Sequence, residues 1–385
     1  MQGIAWSGPL SSTGIRPRLP SNLPTMTFPW FVVVTTAILP LTPLTLAFGQ
    51  SSVHTVHVER SGAGGFIDSK HCFGCHADIY RRYRLTGMAR SFYRPTRETT
   101  VGKSGGPITY YHEPTRMHYS LIERTGNYYQ QRWRVDFDGK KTDSDEFRID
   151  FIMGSGSHAR SYLHREANGA LVELPLAWYS EKGGYWALNP GYDTNRVAPQ
   201  RQISYDCMFC HNSYPQIPAG HSQLNREPLY ADPLPEGIDC QRCHGPGARH
   251  VKAAEAAGAQ AGDLRATIFN PSTLSGERQM EVCMQCHLET TSSRLPSAIR
   301  RFDRGPFSFR AGERLGDFSL NFDKAPGRRE ENLGIVDSAH RLRQSQCWIH
   351  SQDRLTCLTC HDPHSDLHTL DEGHYNGICL RCHVE

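Results

Sequence analysis

One pattern of reactive side chains occurs six times in this sequence: two cysteines three positions apart, followed directly by a histidine. With 13 cysteines and 20 histidines in 385 residues, composition alone gives roughly 0.02 copies by chance. The paired cysteines are Cys72, Cys75, Cys207, Cys210, Cys240, Cys243, Cys283, Cys286, Cys357, Cys360, Cys379 and Cys382. The histidines that follow them are His76, His211, His244, His287, His361 and His383. We number these motifs one to six in chain order.

The spacing within each motif predicts covalent attachment of haem c. Residues i and i+3 lie on the same face of a helix, so one helical turn presents both thiols to the two vinyl groups of a porphyrin. The histidine that follows lies beneath the ring and becomes the proximal ligand of the iron. A zinc site needs four ligands and a disulfide framework needs only cysteines, so neither explains a histidine after every second cysteine. Six covalent haem c groups are therefore the predicted cofactors.

One further cysteine, Cys347, lies outside the motifs. It begins the string Cys-Trp-Ile-His, which lacks a second cysteine and brings His350 one position too near. Two interpretations stay open: a buried free thiol, or an intermolecular disulfide that would give self-association.

The histidines outside the motifs supply candidates for the distal side of each iron. His364 follows His361 by three residues, and His250 follows His244 by six. Three extended residues span only about 10 Å, which is too short to pass round a porphyrin edge. Each histidine is therefore expected to serve a neighbouring haem, unless it is an ordinary surface histidine. The turn residues 245–247 between His244 and His250 suit a change of chain direction.

Other candidate distal ligands carry weaker signals. His158 follows a Gly-Ser-Gly-Ser run that permits close approach of a flat group, and His112 and His221 stand at predicted loop positions. Met88 stands twelve residues past His76 and would give the first haem His/Met ligation, although methionine is more often a core residue. Lesser candidates are His71, His118, His164, His340 and His374.

Composition and charge argue against nucleic acid as a partner and indicate an exported chain. Hydrophobic residues make up 38% of the chain, which is low for a globular protein. The formal net charge of +3 is too small to indicate nucleic acid. An apolar run over 28–49 ends in small residues and predicts a signal peptide, residues 1–49, with a retained membrane anchor as the alternative. We expect no membrane span after cleavage of the signal.

The rest of the chain divides into three predicted modules. Residues 50–100 hold the first haem motif, 101–195 form an antiparallel β-rich insertion, and 196–385 hold the other five motifs. Alternation in 131–137 and 147–153, with glycine turns at hairpin spacing, predicts a meander of about six strands in the insertion. The expected fold is mostly irregular, with short helices around the haems and this inserted antiparallel β meander.

Longer strings around the motifs resemble a known family. The strings C-F-G-C-H-A-D-I-Y, C-H-G-P-G-x-x-H and C-H-D-P-H are similar to multihaem c-type cytochromes of the cytochrome c-554-like superfamily. G-S-G-S-H-A-R-S-Y-L-H and G-I-D-C-Q-R-C-H-G-P-G resemble a bacterial branch that is often fused to helical repeats. The resemblance covers residues 68–385. It implies a multihaem cytochrome c fold, haems in stacked or perpendicular pairs, and mostly bis-histidine ligation.

At single residues the resemblance supports two ligands and departs at a third. Its motifs match His250 and His364 as distal ligands. Where related chains carry Ser-x-His-Ala, this sequence has the stretch 86–89, with Met88 in the place of the histidine. The C-x-x-C-K variant of related nitrite reductases is absent from the sequence.

These observations predict an electron carrier. The expected function is electron transfer by a hexahaem c-type cytochrome in an extracytoplasmic redox chain, in the bacterial periplasm or outside the cell. Its partners would be redox proteins, either quinol-linked or other cytochromes. The alternative is a multihaem oxidoreductase acting on a small nitrogen or sulfur compound at one five-coordinate haem. A structural subunit of a cytochrome assembly is a third interpretation.

Overall fold

The computed structural model describes residues 58–59, 65–100, 108–193, 201–256, 258, 260–288, 298–322, 338–351, 354–367 and 371–383. The described residues all lie within the compact unit that spans 55–385. The predicted signal peptide lies outside the described residues and stays a prediction. Within the described ranges, the helices are too short or too polar to cross a membrane.

Antiparallel strands dominate the middle of the chain. They are β1 (Val58–Glu59), β2 (Phe92–Tyr93), β3 (Ile108–His112), β4 (Met117–Arg124), β5 (Asn127–Val135), β6 (Lys141–Arg148), β7 (Phe151–Met153), β8 (Ala159–Arg165), β9 (Leu171–Glu173), β10 (Leu176–Tyr179), β11 (Tyr185–Leu188), β12 (Ile217–Pro218), β13 (Ala298–Arg300) and β14 (Ser319–Asn321). One sheet is the meander β3-β4-β5-β6. A second sheet has the order β11-β10-β8-β7-β2, with β9 paired to β8, and β1-β12 and β13-β14 form two short pairs.

Alternating side chains and tight turns explain the four-stranded meander. In β4 the side chains of Met117, Tyr119 and Leu121 are buried on one face, as a strand with one covered side requires. A two-residue turn joins β4 to β5, and its residues Thr125 and Gly126 have φ of 48° and 75°. Two positive φ values define a type I′ turn, whose twist matches that of the flanking strands.

The strand pattern differs from the predicted one at the run 147–153. Its alternation predicts one strand, but β6 ends at 148 and β7 begins at 151 in the other sheet. Between them, the Ile149 amide donates to Tyr128 O at 2.8 Å and the Asp150 amide donates to Leu163 O at 2.8 Å. The chain thus changes sheets within this run, and residues 149–152 are all buried there, so the alternation of residue types in the sequence does not reveal the change. The described part of the insertion consequently holds nine strands, more than the predicted number.

Short helices surround the cysteine motifs. They are α1 (Lys70–Phe73), α2 (Ala77–Tyr83), α3 (Arg97–Thr100), α4 (Tyr205–His211), α5 (Gln241–His244), α6 (Ala248–Ala254), α7 (Ala261–Arg265), α8 (Gly276–Met284), α9 (Ser338–Gln344), α10 (Gln346–Ser351), α11 (Cys357–Cys360) and α12 (Glu372–Cys379). Single 3₁₀ turns occur at Glu113–Thr115, Glu181–Gly183, Pro271–Thr273 and Leu315–Asp317.

One hydrophobic core joins the second sheet to the motif helices. The rings of Phe92 in β2 and Phe151 in β7 lie 4.8 Å apart, and both cluster with Met208 of α4 and Met280 of α8. The motif cysteine Cys207 packs against the same cluster. Residues from all three predicted modules therefore contribute to this core, through which the second sheet packs against the motif helices.

A buried carboxylate, Asp150, stabilises the segment in which the chain passes from one sheet to the other. It accepts hydrogen bonds from the Arg165 amide at 2.8 Å, from Arg148 Nε at 2.7 Å and from His164 Nδ1 at 3.0 Å. Burial opposes ionisation of Asp150, yet these hydrogen bonds together lower the pKa of its carboxyl. The hydrogen bond to Asp150 in turn raises the pKa of His164.

We predict that Asp150→Asn lowers the free energy of unfolding by about 1–3 kcal/mol, the usual range for buried hydrogen bonds to charged groups. The carboxylate stabilises the fold above its unfolded pKa of about 3.9, and this stability is lost as pH falls through its lower folded pKa. Protonated His164 stabilises the fold below its unfolded pKa of about 6.5, and this contribution is lost as pH rises through its raised folded pKa.

Urea denaturation followed by circular dichroism measures the effect across pH. Asp145→Asn is the matched control, because Asp145 forms an exposed pair with Arg132 and is expected to cost less than about 1 kcal/mol. Equal losses in the two variants would contradict the role assigned to Asp150.

Candidate haem centres

Each motif adopts one helical turn that brings its cysteines and histidine together. In five motifs the histidine amide donates to the carbonyl of the first cysteine, at 2.8 Å in the first motif and 3.0 Å in the sixth. In the second motif, helix α4 contains both cysteines and the histidine. The Ser204 side chain caps this helix by accepting from the Cys207 amide at 3.3 Å. This is the local geometry that two thioether bonds and one axial nitrogen require.

The first motif faces a histidine from a distant part of the chain. The imidazole centroids of His76 and His250 lie 6.3 Å apart, with ring planes 13° from parallel. The Nδ1 of His250 lies 3.2 Å from Leu264 O and 3.0 Å from Thr267 Oγ1. A carbonyl only accepts hydrogen bonds, so Nδ1 carries the proton and the Nε2 lone pair remains for a metal.

The third motif repeats this arrangement. The centroids of His244 and His364 lie 6.0 Å apart, with planes 17° from parallel. The Nδ1 of His244 lies 2.9 Å from Phe269 O, which again assigns the proton to Nδ1. Burial lowers the pKa of His244, and neutral imidazole is the form that binds metals.

The spacing of both histidine pairs fits one metal between two imidazoles. A bond from imidazole nitrogen to a first-row metal is about 2.0–2.1 Å, and the ring centre lies about 1.1 Å beyond, which gives about 6.3 Å for trans ligands. A direct hydrogen bond between the two rings would bring the centroids closer together. His250 and His364 thus each face a motif other than the one that precedes them, as their short spacing predicts. Ligation itself stays a prediction.

Thiols from different motifs lie side by side. A hydrogen bond joins Cys72 and Cys240, which lowers the pKa of Cys72 and, with burial, raises that of Cys240. The same contact joins Cys283 and Cys357, and it raises the pKa of Cys283 and lowers that of Cys357. These contacts bring the first motif against the third, and the fourth against the fifth.

Weaker electrostatic interactions between cysteines link the remaining motifs. Burial and then Cys286 raise the pKa of Cys243 to about 11, so the third and fourth motifs are adjacent. Burial and then Cys379 raise the pKa of Cys360, so the fifth and sixth are adjacent. Cys286 Sγ also lies 3.9 Å from Phe209 O of the second motif.

The second motif lies next to Met88 through a shared serine. His211 is deeply enclosed, which lowers its pKa, and its Nδ1 lies 3.3 Å from Ser91 O. Ser91 Oγ lies 2.7 Å from Met88 O and 2.8 Å from His211 O. Met88 O also accepts from the Ile238 amide at 3.0 Å, two residues before the third motif. These are backbone contacts, so ligation by Met88, at the first motif by its sequence spacing, stays a prediction.

Near the fifth motif the structure places His374, which the sequence indicated only as a lesser candidate. Desolvation and then His374 lower the pKa of His361, and Tyr375 lies 5.9 Å from His361, centroid to centroid. His374 stands in the first turn of α12, the helix that leads into the sixth motif. Its place one helix ahead of that motif is the signal that could have raised its rank.

The fourth motif contacts helix α9. The Ala339 amide donates to His287 O at 3.2 Å, which brings the neighbouring His340 close to the motif backbone. Desolvation and then His361 lower the pKa of His287.

The other predicted ligands lie elsewhere. His158 is exposed, and its carbonyl accepts from the Ser180 amide at 2.8 Å. His112 is buried in the meander with Nδ1 2.9 Å from Thr115 Oγ1. His221 is half-buried with Nδ1 3.0 Å from Glu227 O, the same proton assignment as in His250. None of the ring contacts described for these three residues involves a motif histidine, so their ligation stays a prediction.

Several motif residues and the unpaired cysteine lie at the surface. Cys379, Cys382 and His383 of the sixth motif are exposed, and so are Cys75 of the first motif and Cys347. Exposure of Cys347 differs from the buried free thiol that the sequence left open, because α10 turns this position outward.

Comparison with known proteins finds similarity over about half of the chain. Over 192 residues the chain is 23% identical to the multiheme cytochrome MtrA of Shewanella baltica (strain OS185), covering 46% of this chain and 52% of that protein. The chain thus spans about half the length of this curated relative. No family model and no solved structure matches the chain. The similarity supports a multihaem cytochrome that binds haem c.

We predict that His250→Ala and His364→Ala each open one axial position. The remaining imidazole would leave a five-coordinate iron, so the reduced variant should bind about one equivalent of carbon monoxide that the parent protein does not bind. Optical spectra and low-temperature EPR would show one low-spin haem converted to high spin.

The control is His350→Ala, since His350 is exposed and contacts Gln346 on its own helix. Retention of full low-spin character in His250→Ala would remove His250 from the ligand set.

Proposed function

We propose that this protein is a hexahaem c-type cytochrome that carries electrons between redox proteins outside the cytoplasm. The observation that carries the proposal is the two histidine pairs, one at the first motif and one at the third, whose ring centroids have the separation expected for a closed six-coordinate iron. An enzyme haem needs an open position, whereas an electron-transfer haem is served by two protein ligands. When bound, haem c supplies a one-electron centre whose potential depends on ligands and burial.

The contacts between motifs support a continuous route for electrons. Adjacent thiols link the first motif to the third and the fourth to the fifth, and shared electrostatics link the third to the fourth and the fifth to the sixth. We propose the order one-three-four-five-six, with the second motif beside the third and fourth. This order departs from the order along the chain.

Location and partners belong to the same proposal. Haem attachment at paired cysteines and the apolar leader support export to the periplasm or cell exterior. We propose quinol-linked proteins or other cytochromes as donors and acceptors. Within the described chain, Cys347 is exposed and accessible for self-association, which stays the alternative partner.

The first test is the haem count and the ligand-binding spectrum of the purified protein, produced in a host that attaches haem c. We expect a mass increase equal to six haems and a negligible carbon monoxide shift in the reduced state, because two imidazoles or an imidazole and a thioether close each iron. Absence of bound haem would end the proposal. Rapid binding at one haem would favour the oxidoreductase instead.

The second test concerns Met88, which we propose as a sixth ligand opposite one motif histidine. A thioether ligand raises the reduction potential relative to bis-histidine ligation. We expect Met88→His to lower one potential and to replace a His/Met EPR signature by a bis-histidine one. Met280→Leu is the control, since Met280 lies fully buried in the core beside Cys357. An unchanged EPR spectrum in Met88→His would assign Met88 to the core.

A further inference from the structure

A fully buried arginine lies where three motifs meet. Arg242 stands between the two cysteines of the third motif, and only 2% of its surface is exposed. It is among the largest side chains of the described chain that are this deeply enclosed. Burial of a guanidinium is expensive, and arginine cannot escape the cost by losing its proton.

The hydrogen bonds of Arg242 are incomplete. Its Nη2 donates to Phe209 O at 2.8 Å, but Nε and Nη1 have no hydrogen-bond partner among the described residues. The guanidinium carbon lies 4.2 Å from the ring centre of Phe209 and 5.2 Å from that of Tyr214. These aromatic faces stabilise the cation without neutralising it.

The charges around Arg242 compensate it only in part. Asp239 is the neighbouring carboxylate, but it accepts from the Gln241 amide at 3.0 Å and from Gln241 Nε2 at 3.1 Å, and it makes no ion pair with Arg242 in the described structure. A second cation, Arg310, lies 5.4 Å from the Tyr214 ring. The local balance of charge is therefore positive.

The position of the charge relates it to three haem attachment sites. Arg242 belongs to the third motif, bonds the carbonyl of Phe209 between the cysteines of the second, and lies in electrostatic range of Cys286 in the fourth and Cys210 in the second. Once those cysteines carry thioethers they have no charge and no longer offset the cation.

We propose that Arg242 is a fixed positive charge that raises the reduction potentials at the second, third and fourth motifs. This inference rests on the proposed function, because it needs haem at those motifs. Reduction adds one negative charge to an iron centre, and a nearby buried cation stabilises that form far more than a solvated cation does. Arg242 would then make the middle of the proposed route the most easily reduced part.

The test is a spectroelectrochemical titration of the holoprotein with Arg242→Gln and Arg242→Lys. In Arg242→Gln we expect up to half of the haem absorbance to titrate at lower potential. At a fixed potential the reduced-to-oxidised ratio of these haems should fall at least tenfold, which is about 59 mV for a one-electron couple. Arg242→Lys keeps the charge and should stay close to the parent curve.

Two further variants decide the result if Arg242→Gln does not accumulate. Asp239→Asn removes the nearest negative charge and should shift the same haems to higher potential. Arg81→Gln is the control, since Arg81 is exposed and pairs with Asp78, and its curve should match that of the parent. A full haem count with unshifted curves in Arg242→Gln, or in Asp239→Asn if that variant alone is obtained, overturns the inference. A missing haem complement in the parent protein would instead overturn the proposed function.

Discussion

Two imidazoles that bind one metal from opposite sides have ring centroids about 6 Å apart, and two histidine pairs of the described chain have this separation. His76 and His250 meet it although the whole β-rich insertion separates them in sequence. His244 and His364 meet it across an even later part of the chain. Backbone carbonyls of Leu264 and Phe269 fix the rings by accepting from Nδ1, so the loops that supply these carbonyls are part of the candidate sites.

The inserted sheet contributes rigidity to this arrangement. Phe92 and Phe151 bring two of its strands into the core that holds Met208 and Cys207 of the second motif. Ser91, which precedes β2, lies between the backbone of Met88 and that of His211. A sheet built into the same core resists movement of the motif helices, and electron transfer benefits when little reorganisation accompanies each step.

Local features of the site could be predicted from the sequence, whereas long-range pairings could not. The cysteine spacing dictates one helical turn, and each motif has it because the hydrogen bond from histidine to the first cysteine is local. Chain length excludes His364 from the iron beside His361, but it cannot select the motif that His364 faces. Distance along the chain suggests the first motif for Met88, and its backbone contacts with Ser91 and Ile238 do not identify the haem that it would serve. The isolation of Arg242 depends on burial from several segments and leaves no pattern in the sequence.

The contacts between thiols of different motifs would constrain the order of haem attachment and folding. If the unmodified chain folded first in an oxidising compartment, Cys72 would meet Cys240 and Cys283 would meet Cys357. The lowered pKa of Cys72 and Cys357 favours thiolate, the form that starts oxidation to cross-links. Such cross-links would consume the sulfur atoms that haem attachment needs. If haem is attached to these cysteines, as we propose, thioether formation would have to precede this folding, because a cross-linked chain no longer offers the thiols.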